Sequence, residues 1–253
     1  MKLTVDVSKT VAELTDRLGE LAYAQMPFAA ALALTRTAQA VQERQVAEMK
    51  DVFDRPTPYT LSSTFVRPAT KQKLAAEVGL KDFAGKGTPA TKFLAPQIAG
   101  GGRRLKRFEI ALRRTGNLPE DFRIVPGAGC RRDAYGNISA GQIVEILSYF
   151  RTFPEAGYRA NMTDKRKRQL ARGTRSRLGY AYFIGRPGGR APLGVWQRVQ
   201  FASGSAVKPV LIFVRGAQYE AVYDFEFVAR TTSERVFPAQ FEAALQQAVR
   251  GLR

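Results

Sequence analysis

The stretch that decides the fold covers residues 27–50 and reads PFAAALALTRTAQAVQERQVAEMK. Its apolar residues recur at steps of three and four, which places them on one face of a helix, while the charged residues fall elsewhere. Proline is acceptable in the first turn because its missing N–H would have no helical partner there. A helix of this length spans about 35 Å, so other elements can pack along it. The predicted face consists of Phe28, Ala31, Leu34, Ala38, Val41, Gln45 and Met49.

This apolar face has two interpretations. In the first, it belongs to a core helix of a globular fold. In the second, part of the same face forms an assembly interface with another molecule. The many alanines of the segment allow a partner to approach closely in either case. The candidate interface residues are Phe28, Ala31, Leu34, Ala38 and Val41.

A shorter helix is predicted before this stretch. Thr10 and Glu13 have the spacing of a capping box, and apolar residues follow them at helical intervals. The helix should end near residues 23–25, a very short distance before Pro27. The two helices therefore form either a hairpin or one kinked rod, and the sequence leaves both possibilities open.

The middle of the chain mixes strands, helices and loops. Alternation of apolar and polar residues predicts a half-buried strand at 73–81. Glycines and prolines make residues 82–102 a long excursion, and helical spacing returns at 103–115. A strand at 122–125 and a helix capped by Ser139 follow.

The final third begins with short runs of β-branched and aromatic residues separated by Gly, Pro and Ser turns. These runs predict an antiparallel meander with strands at 178–184, 194–201 and 207–214. One sheet face is expected to bury three aromatic residues together. These are Phe183, Trp196 and Phe213.

A further extended run at 222–228 leads to a terminal helix that begins at Pro238. The fold class is therefore α+β, with long N-terminal helices and a C-terminal helix packed on an antiparallel β-sheet and with a basic inserted region. We expect a single domain in three parts. Residues 1–82 hold the N-terminal helices and first strand, residues 83–177 the basic inserted region, and residues 178–253 the meander and C-terminal helix.

Positive charge is the main compositional feature. The 253 residues include 40 Lys and Arg against 22 Asp and Glu, a formal net charge of +18. Such an excess favours polyanions or acidic protein surfaces as partners. It is concentrated in residues 101–177, which hold eighteen basic and seven acidic residues. The candidate contacts to nucleic acid or an acidic partner are Arg103, Arg104, Lys106, Arg107, Lys165, Arg166, Lys167, Arg168, Arg172, Arg175 and Arg177.

Two absences restrict the chemistry. The chain has no histidine, which removes the commonest general base and metal ligand, and its single cysteine is Cys130. The acidic residues are scattered beside basic neighbours, which disfavours a two-metal site. We therefore expect no enzyme activity, no catalytic or metal-binding residue and no cofactor. Cysteine usage and the lack of a signal sequence or bilayer-length apolar run predict synthesis in the cytosol and no membrane contact.

The order of the parts is similar to that of a known family. Residues 26–38, MPFAAALALTRTA, resemble the proline-initiated, alanine-rich helix near the start of the minor tail protein Z family of tailed phages, the lambda-type tail completion proteins. The resemblance covers both ends of the chain and little of residues 83–177. It extends to RPTPYT at 55–60, VRPAT at 66–70, the strand at 74–81 and VFP at 236–238, which leads into the last helix.

The resemblance implies a structural virion protein, made in the host cytoplasm and located in the tail or neck. There it would complete the head-proximal end of the tail and enable head–tail joining. Its implied partners are the tail terminator, tail tube and connector proteins, together with further copies in a homo-oligomeric ring. The basic region would then contact acidic surfaces of these proteins or the end of the packaged DNA.

Two other classes of protein stay open. A free nucleic-acid-binding accessory protein would use the same basic middle region, and the net charge of +18 is its main support. A divalent-metal-dependent nuclease is the third class, and it would need carboxylates such as Asp51 or Glu120 as metal ligands.

Overall fold

The computed structural model describes residues 1–6, 8, 20–85, 87–154 and 160–250. The chain divides into two compact units. The terminal unit combines both ends of the chain, Met1–Gly101 and Tyr219–Arg253, and the inserted unit is Gly102–Gln218. The fold class is α+β, as the sequence predicts, because long helices are combined with antiparallel sheets.

The helices and strands are numbered here in chain order. The helices are α1 (Glu20–Val52), α2 (Pro58–Leu61), α3 (Ala90–Phe93), α4 (Ala95–Ala99), α5 (Arg107–Arg114), α6 (Ala140–Tyr149), α7 (Asp164–Arg172) and α8 (Phe225–Arg250). The strands are β1 (Lys2–Asp6), β2 (Thr64–Arg67), β3 (Ala75–Leu80), β4 (Gly101–Gly102), β5 (Phe122–Pro126), β6 (Gly173–Thr174), β7 (Arg177–Leu178), β8 (Tyr180–Gly185), β9 (Gly194–Phe201), β10 (Gly204–Arg215) and β11 (Gln218–Tyr219).

The terminal unit packs α1 and α8 against each other and α1 against a three-stranded antiparallel sheet of order β1-β3-β2. The predicted strand at 73–81 is the central strand, β3. Its register pairs Val78 with Leu3 of β1 and with Val66 of β2. The common core includes Leu34 and Val41 from α1, each 1% exposed.

The predicted long helix is present in α1, but it does not begin at Pro27. The helix starts at Glu20 and continues through this proline to Val52. Proline inside a helix removes one backbone hydrogen bond, and close packing offsets that loss, since Met26, Ala29 and Ala30 are almost fully buried. The predicted capping box of the first helix lies outside the described residues.

The apolar face of α1 packs against other parts of the same chain. Ala31, Leu34, Ala38 and Val41 are all buried in the core of the terminal unit. Phe28 is half-buried and packs with a second cluster, in which Ala29 and Ala33 of α1 meet Ala244 and Ala248 of α8. The structure therefore places Ala31, Leu34, Ala38 and Val41 in a core and not on a free assembly surface, while Phe28 is partly exposed. Small side chains permit the close approach of α1 and α8.

One polar residue of this face, Gln45, is also fully buried. Its Nε2 donates to the carbonyl oxygen of Phe225 at 2.8 Å, and the Tyr223 hydroxyl donates to its Oε1 at 2.6 Å. A buried amide is tolerated when its donor and acceptor are both satisfied. This pair of hydrogen bonds fixes the start of α8 against the middle of α1.

The predicted strand at 222–228 is wrong, because α8 begins at Phe225 and not at Pro238. The Asp224 side chain accepts the N–H of Phe227 at 2.9 Å, which is an N-terminal helix cap. The buried residues Phe225, Val228 and Ala229 then follow helical spacing. The aromatic and β-branched composition favours a strand, and the cap together with core packing overrides it.

The inserted unit contains the predicted meander, since β8, β9 and β10 pair in sequence order as an antiparallel sheet. The strand predicted at 122–125 is β5, which pairs with β10 at the other edge. Helices α5 and α6 supply Leu112 and Ile146, which are buried with Phe213 in the core of this unit. The sheet therefore has one face covered by helices of the same unit.

The three aromatic residues expected on one sheet face are divided between two. Phe183 and Trp196 are directly opposed in the register of β8 and β9. Val195, the next residue on β9, belongs to the core with Phe213. Successive side chains of a strand point to opposite faces, so Trp196 and Phe213 lie on different faces.

The unit boundaries differ from those drawn from composition. The meander belongs with the basic middle region, and α8 belongs with the terminal unit. The apolar face of the meander is covered by α5 and α6. The distribution of charge along the sequence does not indicate this packing. The supposed excursion at 82–102 contains α3 and α4, and the basic segment at 153–177 contains α7.

Replacing Gln45 by leucine tests the buried amide. We expect Gln45→Leu to lower the free energy of unfolding by about 2 kcal/mol, because the buried Tyr223 hydroxyl loses its acceptor. Urea denaturation measures the change. Gln39→Leu, at an exposed position of the same helix, is the control. Equal effects of the two substitutions would contradict the proposed role of Gln45.

Candidate functional site

The most distinctive surface of the inserted unit is formed by α7 and the hairpin of β6 and β7 that follows it. No Asp or Glu occurs between Asp164 and Glu220, while twelve Lys and Arg occur there. Within the described part of the chain, no ion pair involves any of these twelve side chains. Asp164, at the start of α7, is the acid that Lys167 and Arg168 act on electrostatically, and it is itself ion-paired with Arg151.

Six of the predicted contact residues are exposed on this element, and we call them the cationic platform. Three positions on α7, Lys165, Arg168 and Arg172, line a shallow cleft of about 490 Å³ together with Gln169. The platform consists of Lys165, Arg166, Arg168 and Arg172 on α7 and Arg175 and Arg177 on the hairpin. The structure thus brings together residues that the sequence marked only as a basic run.

The platform is held in place by contacts at the start and in the middle of α7. The Thr163 hydroxyl caps the helix by accepting the N–H of Arg166, and Arg151 forms an ion pair with Asp164 at 2.6 Å. Lys167 is half-buried and lies over the ring of Tyr149 at 4.8 Å, so it anchors the helix.

The base of the hairpin depends on two glycines. A Cβ at Gly179 would overlap the carbonyl oxygen of Ala171 and lie 2.7 Å from the carbonyl carbon of Arg172. Gly173 has a φ of +74° and has no room for a Cβ beside the backbone of Gly179. Close backbone approach at this point fixes the hairpin against the end of α7.

The second group of residues predicted to contact nucleic acid or an acidic partner lies near the start of α5, and only part of it is exposed. Arg104, Lys106 and Arg107 are exposed, but Arg103 is not. The Arg103 guanidinium pairs with both oxygens of Glu109, at 2.7 and 2.5 Å. The two side chains are 11% and 0% exposed. Arg103 is therefore a structural residue, which corrects its assignment as a surface contact.

Glu109 is the centre of this buried pair. It also accepts the backbone N–H groups of Lys106 and Ile124, at 2.6 and 2.7 Å. Burial acts against its ionisation, but the hydrogen bonds from Arg103 and the two backbone groups hold the pKa of Glu109 below its ordinary value. The carboxylate thus ties the chain before α5 to strand β5.

Sequence reasoning missed a second carboxylate network, centred on Glu145 of α6. Tyr180 and Tyr182 donate their hydroxyls to Glu145 Oε1 at 2.6 and 2.9 Å, and Arg131 pairs with Oε2 at 2.6 Å. Burial and this hydrogen bond raise the pKa of Tyr180 to about 12. Glu145 is the only charged residue of α6, and a single charge in an otherwise uncharged helix could have indicated from the sequence that this side chain has partners. Tyr180 and Tyr182 therefore have a structural role.

The terminal unit contains a cleft of about 680 Å³ between the middle of α1 and the start of α8. It is lined by side chains of both charges, among them Arg44, Glu48 and Arg235, and by the exposed apolar residue Phe227. Arg44 is itself paired with Glu48 at 2.6 Å. The described residues that line the cleft are basic, acidic and apolar, so they do not indicate one class of ligand.

Metal and thiol chemistry finds little support in the described part of the chain. The residues described there contain no group of three or more His, Cys, Asp or Glu side chains placed to hold a metal ion. Burial raises the pKa of the Cys130 thiol, which opposes formation of the reactive thiolate. Among the helices described, none is long and apolar enough to cross a membrane.

Comparison with known proteins returns no relative. No protein-family model matches the chain, and neither the curated proteins nor the solved structures contain a match.

The Arg103–Glu109 pair predicts an acid-sensitive contribution to stability. We expect Glu109→Gln to lower the free energy of unfolding by about 3 kcal/mol at pH 7, because Arg103 keeps a buried charge without its partner. The folded-state pKa of Glu109 lies below its unfolded value of about 4.3. The contribution is therefore complete above that pH and is lost as the pH falls through the folded-state value.

Urea denaturation at several pH values measures this effect. The difference between wild type and Glu109→Gln should narrow below about pH 4. Glu120→Gln, at an exposed position of the same unit, is the control and should change stability little at any pH. A difference that stayed constant on acidification would contradict the assignment.

The glycine contact predicts a local effect on the platform. We expect Gly179→Ala to destabilise the hairpin by about 2 kcal/mol, because its Cβ meets backbone atoms of Ala171 and Arg172. Hydrogen exchange of residues 164–178 should accelerate. Gly185→Ala is the matched control, since its Cβ would meet only the Phe183 side chain at 4.0 Å. Unchanged exchange in Gly179→Ala would show that the hairpin does not depend on this contact.

Proposed function

We propose that this chain is a structural protein of a tailed-bacteriophage virion that completes the head-proximal end of the tail and enables head–tail joining. One observation carries the proposal. The segments that resemble the minor tail protein Z family are separated by up to about two hundred residues in the sequence, yet all of them belong to the terminal unit.

Specific contacts join these segments. Thr35, in the MPFAAALALTRTA segment, accepts the backbone N–H of Ala69, in the VRPAT segment, through its Oγ1 at 3.1 Å. Phe237, in the VFP segment, packs against the alanine cluster of α1 and α8. The inserted unit, which the resemblance covers poorly, packs around a core of its own.

The proposed mechanism is binding without catalysis. Large apolar side chains remain exposed on the terminal unit, with Phe83 80% and Phe227 54% exposed. The proposal is that these side chains become covered when copies or partners assemble. The proposed partners are further copies in a ring, together with tail terminator, tail tube and connector proteins. The protein would be made in the host cytoplasm and end in the virion.

Quantitative mass spectrometry on purified particles tests the proposal. Particles from a lysate of the source are purified by density and washed at high salt, and the ratio of this chain to the major capsid protein is measured. We expect a handful of copies per particle. Absence from the washed particles would overturn the proposal and favour a free nucleic-acid-binding protein.

A deletion supplies a second test. Without the gene, heads and tails should accumulate separately in electron micrographs, and expression of the intact chain from a plasmid should restore joined particles. Joined, infectious particles in the deletion strain would contradict a role in tail completion.

A further inference from the structure

We infer that the cationic platform binds the phosphate backbone of duplex DNA without reading its sequence. This inference goes beyond the proposed function, which requires only protein partners. It concerns the chain itself and does not depend on the tail assignment. If the protein belongs to a tail, the packaged DNA end is the natural source of the duplex.

Uncompensated charge is the first argument. The stretch from Lys165 to Tyr219 lacks acidic residues, and none of its basic side chains is ion-paired within the described residues. Six like charges on one short helix and hairpin repel each other, and a polyanion relieves that repulsion. Lys and Arg that meet phosphates release condensed counterions, which drives association.

The spacing of the basic residues along α7 also favours binding to a duplex. Lys165, Arg168 and Arg172 occupy positions that share one face of α7 and border one cleft. The seven residue steps between the first and the last cover about 10 Å of helix. Duplex DNA carries about six phosphates along that length. Arg175 and Arg177 extend the same charged surface onto the hairpin.

Rigidity is the third argument. The helix is anchored by the Arg151–Asp164 ion pair and by Lys167 over Tyr149, and the hairpin is fixed at Gly173 and Gly179. A flexible basic tail would lose conformational freedom on binding, whereas these backbones are already ordered. The platform is therefore a pre-formed surface, and only side-chain ends need to adjust.

The chemistry of the surface favours DNA over an acidic protein. Protein interfaces place aromatic and other apolar residues at their centre. Helix α7 has no buried residue and exposes mainly Lys and Arg, together with Asp164 at its start and Gln169. Protein–DNA interfaces are more polar and much more positively charged, which matches this composition.

Fluorescence anisotropy with the full-length protein tests the inference. The probes are two labelled duplexes of about 30 base pairs with unrelated sequences, titrated between about 50 and 200 mM salt. We expect similar affinity for both. In the triple variant Lys165→Gln, Arg168→Gln and Arg172→Gln, affinity should fall more than about 10-fold, and the slope of log K against log salt should weaken by about 2 to 3.

Two control variants separate position from net charge. Lys50→Gln, Lys73→Gln and Lys92→Gln remove the same charge from exposed positions of the terminal unit and should leave the salt slope almost unchanged. Lys165→Arg, Arg168→Lys and Arg172→Lys keep the charge on the platform and should retain binding. Circular dichroism melts establish that each variant is folded.

Several outcomes would overturn the inference. The first is no binding of either duplex by the wild-type protein, and the second is an equal loss of affinity in the terminal-unit control. The third is displacement of labelled DNA by poly-L-glutamate as effectively as by unlabelled duplex at the same charge concentration, which would assign the platform to an acidic protein. None of these results bears on the presence of the chain in particles, so the two proposals can fail separately.

Discussion

The side-chain amide of Gln45 joins parts of the chain that are 180 residues apart. Its donor and acceptor are both used, so a shift of α1 against α8 would leave buried polar groups without partners. The alanine cluster along the same two helices then fits only at close range. These contacts mean that the terminal unit is complete only after its last segment has been synthesised. A contact of such long range is expected to form late in folding.

The inserted unit is stabilised by hydrogen bonds and ion pairs to two carboxylates. Its carboxylates Glu109 and Glu145 are each surrounded by donors, and each ties a helix region to the sheet. These two acids are ion-paired with arginines, Glu109 with the largely buried Arg103 and Glu145 with the exposed Arg131. The remaining basic residues of α7 and the hairpin have no such partners within the described residues. The unit therefore folds around its own carboxylate networks, while the six basic residues of the platform have no ion-pair partner within the described residues.

Periodicity predicted the elements whose environment is simple. Helix α1 and strand β3 follow from the spacing of their apolar residues, and the meander follows from runs of β-branched and aromatic residues between turns. The start of α8 could not be predicted in this way, since Val222, Tyr223 and Phe225 favour a strand and only the Asp224 cap indicates a helix. Charge density located the platform. Charge density could not show that Arg103 is ion-paired with Glu109, because that pairing depends on the path of the chain before α5.

The two chain crossings between the units, β4 and β11, pair with each other as neighbouring strands. The inserted unit thus leaves and rejoins the terminal unit at adjacent points, which is the arrangement that tolerates insertion of a folded segment. For evolution, this makes the charged part of the molecule an exchangeable module. A gene could acquire, lose or replace the segment between Gly102 and Gln218 without altering the buried residues of the helices that frame it. Variation among such proteins would then be concentrated in the module, while the frame stayed recognisable.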